Sequence, residues 1–161
     1  MKKIYLLLVI AFFAFTNMFA QTVLISPTGN GGFENGTTFA ANNWTVVNSS
    51  TDGWVLGTAP LSTTAPETPG PSAGSNGAYI SSTTAGTPPT WTYSQVSVIQ
   101  HAFYTFTVPA NDVKGTLSFK WKVGGEGTTT LDWDNMKVFL APTSLVTPVA
   151  NTTVAATYQV L

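Results

Sequence analysis

Residues 116–123 read Thr-Leu-Ser-Phe-Lys-Trp-Lys-Val, an unbroken alternation of polar and apolar side chains. A β-strand sends successive side chains to opposite faces, whereas a helix needs apolar residues three and four apart. Leu117, Phe119, Trp121 and Val123 therefore share one face of an extended segment. Thr116, Ser118, Lys120 and Lys122 share the other. The pattern predicts a half-buried antiparallel strand. Residues 102–108 predict a second strand, with Ala102, Tyr104, Phe106 and Val108 on one side, closed by the turn Pro109-Ala110-Asn111-Asp112. Residues 135–140 predict a third, burying Met136, Val138 and Leu140. Shorter candidates lie at 23–26, 44–47, 54–57, 78–81, 93–98 and 157–160. Leu131 and Trp133 are out of phase with Met136 and Val138, which predicts a bulge or a strand start near Asp134-Asn135. No segment after residue 20 sustains a helical period. The expected fold is all-β, a jelly-roll-like antiparallel β-sandwich with a core of Tyr104, Phe106, Leu117, Phe119, Trp121, Met136, Val138 and Leu140.

Residues 1–20 predict an export signal. Lys2 and Lys3 precede an apolar run at 4–15, and Ala20 offers a small residue for cleavage before Gln21. That run is 12 residues long, short of the ~20 that span a bilayer. A short leader carrying only lysine points to a bacterial source. The expected mature chain is one domain, residues 21–161, secreted or at the cell surface, with no membrane insertion once the leader is gone. Two of the six lysines leave with the leader. Lys114, Lys120, Lys122 and Lys137 remain against seven acidic residues, a formal charge of −3. The chain has no arginine, so nucleic acid is not an expected partner, because phosphate binding needs clustered Lys and Arg. It also has no cysteine, so stability must come from burial or from a bound metal.

The chemistry-bearing residues are few. Gly70-Pro71-Ser72-Ala73-Gly74 matches the nucleophile elbow of serine hydrolases in letters only, since it sits in a Pro-rich stretch with no strand before it and no helix after. His101 is the only histidine and reads as a structural or surface residue. Asp132-Trp133-Asp134-Asn135 is the best cluster of oxygen ligands for calcium, which takes six to eight oxygens. An EF-hand is excluded, because Met136 stands where another Asp or Asn is required. Glu34 is the leading candidate to complete the set from a distant segment. Trp91, in a loop after Pro88-Pro89-Thr90, is the candidate exposed platform for a sugar. None of these patterns organises a catalytic triad or a cleft, so the chain reads as no enzyme.

Several segments in order resemble one family. They are Gly32-Phe33-Glu34-Asn35-Gly36, Asn43-Trp44-Thr45, residues 54–59, residues 74–81, residues 97–110, residues 117–127 and residues 134–142. Together, over about residues 31–150, they resemble the cleaved-adhesin or choice-of-anchor (MAM-like) jelly-roll domains of bacterial secreted and surface proteins. The resemblance implies a non-catalytic adhesive or structural module that recognises glycan or protein, within a longer multidomain protein. It implies calcium held by Glu34 and Asp134, with Asp132 as a further candidate. The alternative is an accessory carbohydrate-binding module of a secreted hydrolase. The chain stops at Tyr158-Gln159-Val160-Leu161 inside a candidate strand, so the sandwich is expected to be truncated at its C-terminus.

Overall fold

The computed structural model describes residues 22–49, 52–58, 71, 73–82, 96–110, 114–121 and 134–161. It is an all-β arrangement of short antiparallel pairs. Strand β1 (Trp44–Val47) pairs with β4 (His101–Tyr104), and β2 (Asp52–Gly57) pairs with β3 (Gly77–Ser82). The pairing is nested, since the β2–β3 pair lies in sequence between the two strands of the other sheet. The registers run Trp44 opposite Tyr104 through Val47 opposite His101, and Asp52 opposite Ser82 through Gly57 opposite Gly77. Single 3-10 turns at Ala40–Asn42 and Ala156–Tyr158 are the helical elements among the described residues.

The candidates at 44–47, 54–57 and 78–81 are strands. Each is a short run rich in β-branched or aromatic residues, bounded by Asn or Gly, and each finds a partner. The strand expected over 102–108 is shorter, ending at Tyr104. Its register explains why: Thr105 would have to pair with Asn43, where the chain turns left-handed with φ of 60°. Residues 23–26 form bends and coil, because the chain there folds back on itself in turns rather than along a partner.

The expected strand at 116–123 is the main correction. Its described residues, 116–121, carry no ladder, and both faces are open to solvent. Leu117 is 57%, Phe119 45% and Trp121 50% exposed, so the expected core does not form from them. Alternation sets which side chains share a face, but a face is buried only when a neighbouring strand brings cover. Lys122 and Val123 lie outside the described residues, as do residues 1–20, Leu131, Asp132 and Trp133, so the expected irregularity before Asn135 falls at their edge.

At 135–140 the chain pairs with its own C-terminal end through a single bridge, Phe139 to Gln159. Val138 N–H donates to Leu161 O (2.9 Å), Val160 N–H to Val138 O (2.8 Å) and Leu140 N–H to Tyr158 O (2.9 Å). Met136 and Val138 are half-buried, but Leu140 is 59% exposed. Contact through a single bridge leaves Leu140 largely open to solvent.

Apolar packing is centred on rings. Phe33 meets Phe39 edge-on (centroids 5.9 Å apart), Phe33 lies 5.4 Å from Trp44, and Trp44 lies 5.6 Å from Tyr104 across the β1–β4 ladder. Such tilted and edge-on pairs suit the quadrupoles of aromatic rings.

Candidate functional site

The candidate site is the junction of two sequence motifs, Phe33-Glu34 and Gly74-Ser75-Asn76, about forty residues apart. The first is delivered by a tight fold of residues 26–34. Gly31 N–H donates to Ser26 O (2.8 Å) and Glu34 N–H to Gly29 O (3.0 Å). This close approach needs Gly32, because a Cβ there would lie 2.0 Å from Pro27 O. Trp44 Nε1–H donates to Asn30 O (2.9 Å), and Asn30 Nδ2–H donates to the Tyr104 hydroxyl (2.5 Å). These bonds tie the fold to both strands of the β1–β4 sheet.

Phe33 then turns left-handed, with φ of 61°. A bulky L-residue there costs about 1–3 kcal/mol. Three contacts offset that cost: the ring meets Phe39 edge-on and lies tilted against Trp44, and the Phe33 carbonyl accepts a hydrogen bond from Asn76 Nδ2 (3.1 Å). The turn aims the next side chain, Glu34, at the loop before β3.

There Glu34 Oε1 accepts the backbone N–H groups of Ser75 (2.8 Å) and Asn76 (3.0 Å). Successive N–H groups converging on one oxygen form a small anion-binding concavity. Gly74 is required in it twice over. Its φ is 73°, and a Cβ would lie 2.2 Å from Glu34 Oε1. The chemistry is that of a clamp, with a charged acceptor binding two main-chain donors.

His101 holds the structural place expected of it. Its Nε2–H faces Val149 O and Thr152 O, both at 3.0 Å. Asn151 completes this second clamp, with Ile99 N–H donating to its Oδ1 (3.0 Å) and its own N–H donating to Ile99 O (3.0 Å). On β3, burial raises the Tyr79 phenol above its ordinary value of 10.0.

Of the expected metal ligands, Glu34 is committed through Oε1 to the two amides, and Asp134 is half-buried at a bend. Asp132 and the expected platform Trp91 lie outside the described residues. Among the described residues no group of three or more His, Asp or Glu side chains gathers to hold a metal ion. Glu34 Oε2 takes no part in the two amide bonds.

Several amide side chains of this architecture escape sequence reasoning. Asn42, fully buried, accepts from Asn35 N–H (2.9 Å) and donates to Gly36 O (3.0 Å) and Thr38 O (2.9 Å). Asn48 lies across Gly53 and binds the Trp54 N–H (3.0 Å) as a neighbouring strand would. Gln100 accepts from Ser49 N–H (2.7 Å) and donates to Asp52 O (2.6 Å), joining the start of β4 to the β1–β2 connection. Asparagine is common throughout this chain, so no local signal marks these positions.

Comparison with protein-family models, curated proteins and solved structures returns no match. Within the described residues no helix is long and apolar enough to cross a membrane.

Proposed function

We propose that the chain is an exported, non-catalytic β-module of jelly-roll type, adhesive or structural, that recognises glycan or protein as part of a longer surface or secreted protein. One observation carries this reading. Glu34 and His101, two of the titratable side chains among the described residues, are each bound to main-chain groups and hold loops together. Both side chains serve to fix loops in place, as a module that presents a surface requires. Calcium bound by Glu34 and Asp134, with Asp132, would supply a further cross-link between the N-terminal segment and the segment after Asp134.

A second reading, an accessory carbohydrate-binding module of a secreted hydrolase, is favoured by the exposure of Phe119 and Trp121 on one face of their segment. Exposed rings stack on sugars.

A glycan array with the mature chain separates the two. Selective polysaccharide binding lost in Trp91→Ala or Trp121→Ala supports the accessory module. Protein binding, or no glycan binding at all, supports the adhesive or structural module. Turnover of a glycan or peptide substrate by the purified chain overturns both. Thermal melting in calcium and in chelator tests the metal. A site would raise stability by about 2.7 kcal/mol at a hundredfold excess over Kd, and equal melting in both buffers for wild type and Asp134→Ala removes calcium from the proposal.

A further inference from the structure

Three Asn-Gly pairs occur, at Asn30-Gly31, Asn35-Gly36 and Asn76-Gly77. An Asn-Gly pair is chemically labile because glycine puts no side chain in the way of attack by its own nitrogen. The fold treats the three differently. The Asn30 carboxamide is held at both ends, accepting from Ser26 N–H (2.9 Å) and donating to Tyr104, and the Gly31 N–H is bound to Ser26 O. The Asn76 carboxamide donates to Phe33 O and its N–H is bound to Glu34, while Gly77 is fixed as the first residue of β3. The Asn35 side chain is exposed, and among the described residues its carboxamide makes no hydrogen bond and the Gly36 N–H donates to no carbonyl. Glycine is nonetheless required at 36, where φ is 156° and a Cβ would lie 2.9 Å from the Ala41 Cβ.

We infer that Asn35 is a site of spontaneous modification, converting to aspartate and isoaspartate while Asn30 and Asn76 are protected by the fold. The Gly36 nitrogen loses its proton and bonds to Asn35 Cγ. The Cγ–Nδ2 bond breaks and ammonia leaves, giving a cyclic imide. Water then opens the imide at either carbonyl. Opening at one side gives aspartate. Opening at the other gives isoaspartate and routes the main chain through the former side chain, adding a methylene between Asn35 N and Gly36 O. Those are two of the groups that Asn42 brackets, so the isoaspartate product loses that bracket. Either product adds a carboxylate beside Glu34.

The test is timed incubation of the mature chain at mildly alkaline pH, then mass-spectrometric peptide mapping with cleavage after Phe33 or Glu34 to separate Asn30 from Asn35. The folded chain is expected to convert at Asn35 at least about tenfold faster than at Asn30 or Asn76, which corresponds to ~1.4 kcal/mol of barrier. In denaturant the three rates should converge. Asn35→Gln should abolish the fast product and leave the circular dichroism spectrum unchanged. Equal rates at the three sites in the folded chain, or the same preference for Asn35 in denaturant, overturns the inference.

Discussion

Asn42→Ala tests whether buried amides hold the Phe33-Glu34 segment in place. The side chain is fully buried and makes three hydrogen bonds, at 2.9, 3.0 and 2.9 Å. At a net ~1 kcal/mol each they total about 3 kcal/mol. The freed groups on Asn35 and Thr38 belong to exposed residues and regain water, so the expected loss lies at or a little below that figure. Against a whole-domain stability of about 5–15 kcal/mol, a loss of this size is plain in a urea melt. Asn42→Asp sharpens the test. It keeps the acceptor for Asn35 N–H but turns two donors into acceptors facing the Gly36 and Thr38 carbonyls. At neutral pH it also buries a charge, so it should cost more than Asn42→Ala. Burial raises the folded-state pKa of the introduced carboxyl above its unfolded value of about 3.9. The penalty is therefore absent below the unfolded pKa and grows as pH rises through the folded one. Melts of both variants at neutral and acidic pH should show the aspartate variant recovering on acidification and the alanine variant not doing so. A loss under about 1 kcal/mol in Asn42→Ala, or an aspartate variant milder than alanine at neutral pH, would refute the reasoning.

Two further outcomes are expected. Gly74→Ala should destabilise the chain by at least ~1 kcal/mol from the left-handed backbone alone, with more from the clash with Glu34; in Glu34→Ala the clash vanishes, so a double-mutant cycle by urea melting should show coupling, and strict additivity would count against the clamp. Tyr79 has its phenol raised by burial above 10.0, so folding stability is full below about pH 10 and falls as pH climbs past it; Tyr79→Phe should flatten that alkaline decline, and a decline of unchanged slope would assign it to other groups.

What the sequence disclosed was local. The strands at 44–47, 54–57 and 78–81 were legible because short apolar runs bounded by Asn or Gly need only a partner, and each has one, β2 and β3 extending beyond those bounds to Asp52–Gly57 and Gly77–Ser82. Residues 116–121 carry the strongest alternation in the chain and form no ladder among the described residues, because a pattern specifies a face and not its cover. The Phe33-Glu34 and Gly74-Ser75-Asn76 motifs were each visible. Their meeting was not, since a contact across about forty residues leaves no periodic trace. Asn42 and Asn43 are adjacent and identical in letter. One is buried with three bonds and the other is exposed and left-handed, a difference that only the turn at Ala40–Asn42 creates.

The described loops share one device: a side-chain acceptor or donor stands in for a missing strand. Asn48 binds Trp54 as a ladder partner would, Gln100 joins two segments through main-chain groups, and Asn42, Asn151 and Glu34 close turns in the same way. Four of these five are neutral amides, which neither titrate nor are screened by salt. Charged residues make up 8% of the chain, so these loops are held mainly by groups whose bonds are insensitive to pH and salt. The same choice carries a chemical liability, because asparagine before glycine can cyclise wherever its amide is not held. Bonding both ends of the Asn30 carboxamide therefore both builds a loop and suppresses that reaction. Asn35 has the backbone half of this arrangement, through Asn42, without the side-chain half. Stability of the loop and durability of its chemistry are thus set by different hydrogen bonds, and a variant that improves one need not improve the other.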